Sequence, residues 1–191
     1  LGMTNSTFES LDELRDVDTV RNVEQLIAAG LIDGYDELRP IVEHRSRDHS
    51  RTPVQWDDSP HAGFTEGDPW IAVNDDYPEV NVEREAADPQ SVLSFYRDLI
   101  ELRAETPALV RGSYELHLPE DEQLYVYTRT LEDRQVVVVL NFSELDRMDG
   151  FEMLRSDASL RLSNYDDVAD RPADSLELRP YEARLYEQST E

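Results

Sequence analysis

The chain has 191 residues, with 43 acidic against 18 basic side chains and a net charge of −25, and every basic residue is arginine. Such a surface repels phosphate, which argues against nucleic acid or an anionic membrane face as a partner. With no cysteine, it holds neither a disulfide framework nor a thiolate metal site.

Disorder is the first alternative for so acidic a chain. A hydrophobic fraction of 39% set in periodic segments argues for a packed fold with its acid outside. Dense surface carboxylate suits concentrated salt, where ions screen the self-repulsion. No apolar run reaches the roughly 18 residues of a membrane span, and no charged-then-apolar leader opens the chain. The expectation is a cytoplasmic protein of a salt-adapted organism, the chain being part of a longer polypeptide.

Ser10-Leu11-Asp12-Glu13 has capping-box spacing, and Leu11, Leu14, Val17, Val20, Val23, Leu26 and Ile27 recur at helical steps, predicting one helix over 11–29 that Gly30 ends. A second helix is predicted over 35–46, with Pro40 kinking or restarting it. Residues 47–81 read as one long irregular loop, punctuated by Pro53, Pro60, Gly63, Gly67, Pro69 and Pro78. Ordered loops of that length tend to be functional. Asp88-Pro89 predicts the next helix start, with apolar residues from Val92 to Leu102 and Pro107 as the stop.

After Gly112 the period changes to two. Strands are predicted at 114–118, 124–130, 136–142, 151–154, 160–163, 176–178 and 183–186, joined by short acidic turns that favour antiparallel pairing. The continuously apolar Val136–Leu140 predicts a central strand covered on both faces. The domain boundary is placed near residue 111.

The stretch from Arg47 to Phe64 concentrates the chemistry: Arg47, Arg51, His49, His61, Trp56 and a cluster of aspartates. From spacing alone Arg51 reads as a loop arginine paired with Asp48 or Asp57, and Arg47 as an ion-pair partner of Asp48 or a neighbour. Trp56 could stack on a sugar, yet a tryptophan at such a junction more often packs a loop down. His49 and His61 lack a metal-binding register. The pairs Asp57-Asp58, Asp75-Asp76 and Asp166-Asp167 lack a calcium-loop pattern and read as solvated surface.

Ser46-Arg47-Asp48-His49-Ser50-Arg51-Thr52-Pro53-Val54-Gln55-Trp56-Asp57-Asp58, followed by Pro60-His61-Ala62-Gly63-Phe64, resembles the stretch that ends the catalytic barrel in the α-glucosidase and oligo-1,6-glucosidase branch of glycoside hydrolase family 13. The likeness continues through Leu1-Gly2-Met3-Thr4-Asn5, Arg15-Asp16-Val17-Asp18-Thr19, Pro69-Trp70-Ile71-Ala72-Val73-Asn74, Asp88-Pro89-Gln90-Ser91-Val92-Leu93 and Leu109-Val110-Arg111-Gly112-Ser113-Tyr114. It weakens after about residue 143.

The resemblance implies an α+β fragment: helices and the 47–81 loop from the end of a (β/α)8 barrel over 1–111, then an antiparallel Greek-key β-sandwich over 112–191. A whole barrel needs about 250 residues, so the family's aspartate nucleophile, glutamate acid/base and histidine-aspartate motif would lie upstream of Leu1, and no catalytic residue is assigned here. The implied activity is retaining hydrolysis of α-1,4 or α-1,6 glucosidic bonds in oligosaccharides, without cofactor or metal. Arg51 is implied to contact hydroxyls of the glucosyl unit next to the cleaved bond, a role suited to a permanently charged fork of donors. Asp18 falls where the family often carries a glutamate lining the neighbouring subsite, and Arg47 is a further substrate-binding candidate.

The rivals are a sucrose or maltose isomerase or glucosyltransferase within the family, a non-catalytic carbohydrate-binding or structural β-sandwich module, and a non-catalytic protein subunit. Alone, the chain is expected to be inactive and to self-associate through exposed barrel-facing Leu11, Val17 and Leu26.

Overall fold

A computed structural model describes residues 1–190, which divide by compactness into two units, the first Leu1–Ser94 and the second from Phe95 onward. The sequence pattern divides the chain near residue 111; compactness divides it earlier because Leu102 and Ala108 pack with Val136, Val138 and Leu185 of the sheet.

The first unit is built from short pieces: a 3-10 turn at Leu11–Glu13, α1 at Val17–Ala28, a 3-10 turn at Tyr35–Glu37, α2 at Arg39–Arg45, 3-10 turns at Arg47–Arg51 and Pro60–Gly63, and α3 at Val82–Ala87. Phe8, Leu14, Val23, Tyr35, Val42 and Ile71 form its core. The continuous helix predicted over 11–29 is interrupted. Leu14 is extended, and the amides of Arg15 and Asp16 donate to Asp48 Oδ2 at 2.7 and 2.9 Å rather than continuing the helical ladder. Leu11 is therefore packed against the core instead of forming an exposed surface with Val17, which is 64% exposed. The far end follows the pattern, since Gly30 takes φ 68° and the amides of Gly30 and Leu31 close back onto Ile27 and Leu26. Pro40 sits in the first turn of α2, where its missing N–H costs nothing.

The 47–81 segment holds only two 3-10 turns. Asp76 is not the solvated residue its neighbour Asp75 suggests. Its carboxylate accepts from the Thr4 amide and hydroxyl and from Gln55 Nε2, each at 2.9 Å, while Asn74 Nδ2 donates to Thr4 O. These bonds lace the loop to the first residues of the chain. The helix α3 goes beyond the predicted elements, and it is nucleated by buried Asn81, whose side chain accepts from Arg84 N.

The predicted start at Asp88-Pro89 shifts to Val92: α4 spans Val92–Glu105, and Ser91 is its cap, accepting from Ser94 N at 3.1 Å. Pro107 opens α5, Pro107–Arg111.

In the second unit, β1 (Ser113–His117), β2 (Leu124–Leu131), β3 (Arg134–Asn141), β4 (Arg147–Asp149), β5 (Ser159–Ser163), β6 (Leu176–Leu178) and β7 (Ala183–Ser189) follow in order. The larger sheet runs β1-β2-β3-β7-β5 and is antiparallel throughout; β4 and β6 pair as a second layer. The chain leaves β3 for the second layer, returns to the far edge as β5, and ends with β7 inserted beside β3, a Greek-key path. Val137 and Val139 face the core between the layers, together with Val126, Phe151, Leu178 and Tyr186, whereas Val136 and Val138 face the opposite side under Leu102 and Ala108. The central strand is thus covered on both faces.

The strand predicted at 151–154 is instead a turn, closed by Leu154 N to Phe151 O at 2.9 Å. Phe151 alternates apolar with Met153 because both fill the core from that turn. Among the described residues no helix is long and apolar enough to cross a membrane.

Candidate functional site

Ser46 ends α2, and its hydroxyl accepts from the Asp48 amide at 3.2 Å, which starts the 3-10 turn at Arg47–Arg51. In a 3-10 turn, residues three apart eclipse. Asp48 and Arg51 therefore meet, with Arg51 Nη1 donating to Asp48 Oδ1 at 2.9 Å. Asp48 is fully buried, and its other oxygen is taken by the amides of Arg15 and Asp16. One buried carboxylate thus fixes the start of α1 and the direction of Arg51 together.

Arg47 reaches the other way. Its Nη2 donates to Asp16 Oδ1 at 2.5 Å and to Asp18 Oδ2 at 2.6 Å, while Thr19 Oγ1 donates to Asp16 Oδ2 at 2.7 Å. Arg51 Nη1 also lies 3.6 Å from Asp16 Oδ1. The hydrogen bond from Arg47 holds the Asp16 carboxyl down at about 2, against the opposing effect of burial. Asp16 and Asp18 in turn raise Arg47 further above its ordinary value.

The three residues singled out from sequence, Arg51, Arg47 and Asp18, are brought into one cluster. Of the two that organise it, Asp48 is legible in the sequence as an ion-pair partner through its three-residue step to Arg51, and Asp16 carries no such signal. Arg47 pairs with Asp16 and Asp18 rather than with Asp48. Chemically, the cluster offers two permanently charged guanidiniums whose side chains stay 56% and 37% exposed above carboxylates that are only 5% and 0% exposed. Both oxygens of Asp16 and of Asp48 are engaged as acceptors, so the arrangement suits orientation of hydroxyls and stabilisation of a neighbouring anion, and neither buried acid is free to act as a nucleophile.

His49 serves the same scaffold, with Nδ1 accepting from the Ser6 amide at 3.2 Å and its ring stacked 5.6 Å from Phe8. The downstream loop is tightly closed. His61, Ala62 and Gly63 all take left-handed φ near 60°, and Ala62 O accepts from the amides of Trp56 and Asp57. A Cβ on Gly63 would stand 2.5 Å from Asp57 Oδ2, so only glycine fits there. The loop backbone is thereby held while Trp56 remains 51% exposed. Among the described residues, no three His, Asp or Glu side chains converge as metal ligands.

Residues 1–112 match the family described as alpha-amylase, catalytic domain. The chain is 40% identical over 190 residues to an oligo-1,6-glucosidase of Halalkalibacterium halodurans, a match covering 97% of this chain and 33% of that protein. It is 36% identical to a trehalose-6-phosphate hydrolase of Escherichia coli, with 96% and 33% covered. Among solved structures, the trehalulose synthase of Pseudomonas mesoacidophila superposes with a TM-score of 0.88 at 39% identity, covering 98% of this chain and 34% of that one. The chain spans about a third of the length of these relatives.

Proposed function

From the premise that the chain belongs to the alpha-amylase family of glycoside hydrolases, we propose that it is the C-terminal part of an oligo-1,6-glucosidase-type enzyme. The complete enzyme hydrolyses α-1,4 or α-1,6 glucosidic bonds in short oligosaccharides with retention, using two carboxylates about 5–5.5 Å apart that this chain does not supply. Residues 1–111 close the catalytic barrel, and 112–191 form the β-domain that follows it.

Arg51 is the substrate-binding residue, donating to hydroxyls of the glucosyl unit beside the cleaved bond and keeping the adjacent nucleophile ionised. Arg47 and Asp18, joined at 2.6 Å, line the neighbouring subsite as a pair; the short Asp18 side chain is extended in effect by the guanidinium it holds. The observation that carries this reading is the buried Asp48, which aims Arg51 outward while taking the amides that start α1.

The test replaces the matching third of the Halalkalibacterium halodurans oligo-1,6-glucosidase with this chain. The chimera is expected to release glucose from isomaltose and from an aryl α-glucoside, and Arg51→Ala to abolish that release. The isolated chain is expected to be inactive; turnover by it that Arg51→Ala abolishes would overturn the assignment of the carboxylates elsewhere. The likeness to trehalulose synthase supports a second reading, sucrose isomerisation, which the same chimera reports as isomer formed from sucrose. The charge of −25 supports a protein adapted to concentrated salt. Its far-ultraviolet circular dichroism is expected to strengthen as molar salt is added, and unchanged helicity from dilute buffer upward would count against that.

A further inference from the structure

Tyr186 is 0% exposed between the two layers of the second unit, and its hydroxyl has no hydrogen-bond partner among the described residues. Leaving a buried hydroxyl unmatched is unfavourable, so such a group marks a place that something else completes. Burial raises the phenol and the Arg184 guanidinium opposes that rise, yet no hydrogen bond of normal geometry joins the two. Arg184 and Tyr186, two apart on β7, point to the same face of the strand. Both line a cavity of about 460 Å³ whose other walls come from the stretch between Asp167 and Arg179.

The polar groups of this cavity are unevenly spent. Its acids are already matched or stand at the rim. Glu182, behind Arg184, accepts four bonds from Arg179 and Arg184. Asp167 Oδ1 accepts from Arg179 Nη1 at 2.6 Å, and Glu177 lies on the exposed side of β6. The donors are in surplus: Arg184 gives Nε to Glu182 and Nη2 to Glu177 O, neither bond uses Nη1, and the Tyr186 proton is uncommitted. Much of the remaining lining is apolar, from Val168, Ala169, Ala173 and Leu176. The net charge of −25 works against any anion, but here Arg171, Arg179 and Arg184 balance Asp167, Glu177 and Glu182.

A ligand that accepts from a phenol and a guanidinium and carries a short hydrocarbon body meets both halves of the lining. We propose that this cavity binds a small organic carboxylate, its head group accepting from Tyr186 Oη and Arg184 Nη1 and its body resting on Leu176 and Val168. The site spans β7 of the larger sheet and β6 of the second layer, so the ligand ties the layers together and stabilises the folded chain by mass action. All of these residues lie in the second unit, and the inference stands apart from the glucosidase reading.

The 191-residue chain is titrated with butyrate, butyramide and inorganic phosphate, by calorimetry and by urea unfolding, at constant sodium chloride concentration. Butyrate is expected to bind saturably at one site and to raise the urea midpoint. Butyramide, which keeps the body and lacks the charge, and phosphate, which keeps charge and lacks the body, are expected to bind at least about 10-fold more weakly. Equal binding of butyramide would remove the carboxylate from the account, equal binding of phosphate would make this an inorganic-anion site, and no saturable binding of butyrate would leave the hydroxyl to an ordered water; each overturns the proposal. Tyr186→Phe deletes the hydroxyl alone. It is expected to weaken butyrate at least about 10-fold while the urea midpoint without butyrate stays level or rises, since that hydroxyl has no partner to lose. Parent-like butyrate binding in Tyr186→Phe contradicts the proposal. Ala173→Leu, at an exposed lining position, narrows the cavity without entering the core and is expected to weaken butyrate at unchanged stability; unaltered binding there would put the ligand elsewhere.

Discussion

Two fully buried carboxylates, Asp48 in the first unit and Glu182 in the second, are each held by arginine, yet they put their arginines to opposite uses. Glu182 accepts from Arg179 N at 2.8 Å, Arg179 Nε at 3.2 Å and Arg184 Nε at 2.7 Å. Both arginines are then spent again: Arg179 on Asp167 and over the Tyr165 ring, Arg184 on Glu177 O. Arg184 is only 11% exposed. Around Asp48 the backbone amides of Arg15 and Asp16 take half of the carboxylate, so Arg51 is anchored by one nitrogen and faces outward. The acid satisfied mostly by side chains draws Arg184 into the interior, whereas the one whose second oxygen is taken by backbone amides leaves the Arg51 side chain 37% exposed.

The largest expected effect breaks both halves of the comparison equally. Glu182→Ala and Asp48→Ala each leave buried donors unpaired and are expected to cost about 3–5 kcal/mol in urea unfolding. A loss below about 1 kcal/mol at either site would mean that its carboxylate organises nothing.

Arginine-to-lysine changes should then separate the two. Arg51→Lys removes the fork but keeps the charge. Losing a hydrogen bond from a charged donor is worth about 1.5–3 kcal/mol, so kcat/KM of the chimera is expected to fall roughly 10- to 100-fold with little change in stability. Arg184→Lys should destabilise by about 1–3 kcal/mol and leave kcat/KM unaltered.

A smaller effect concerns pH. Asp16 has its carboxyl lowered from 3.8 to about 2 by Arg47, so its contribution to stability is complete above about pH 4 and is lost as the pH falls through 2. Acid unfolding followed by circular dichroism should flatten over that window in Asp16→Asn; an unchanged profile would detach Asp16 from the cluster's stability. The smallest expected effect lies outside both clusters. Arg39→Ala breaks exposed pairs to Glu9 and Glu43, and the urea midpoint is expected to fall only slightly, less in high salt.

How much of this is legible in the sequence follows from how local the deciding interactions are. Val136–Leu140 announces a strand with two covered faces because a run of valines leaves no solvent side, and Gly30 announces a helix end because φ 68° favours a residue without a Cβ. The break before Val17 is invisible, since it is made by Asp48 reaching back more than thirty positions to two amides. Asp76 misleads for the same reason, its partners Thr4 and Gln55 being remote in the chain. Arg51 is found through the ordered motif around it, and its partner Asp48 through the three-residue step. Asp16 has no local mark, because its importance comes from Arg47, far along the chain.

The most direct measurement is the affinity of the chimera for glucose by calorimetry, with Arg51→Ala and Arg179→Ala compared. The account predicts that Arg51→Ala weakens glucose at least about 10-fold, the loss of one charge-assisted hydrogen bond, while Arg179→Ala leaves it within error of the parent. Equal weakening by the two, or none by Arg51→Ala, would contradict the claim that the Asp48 cluster presents its arginine to sugar.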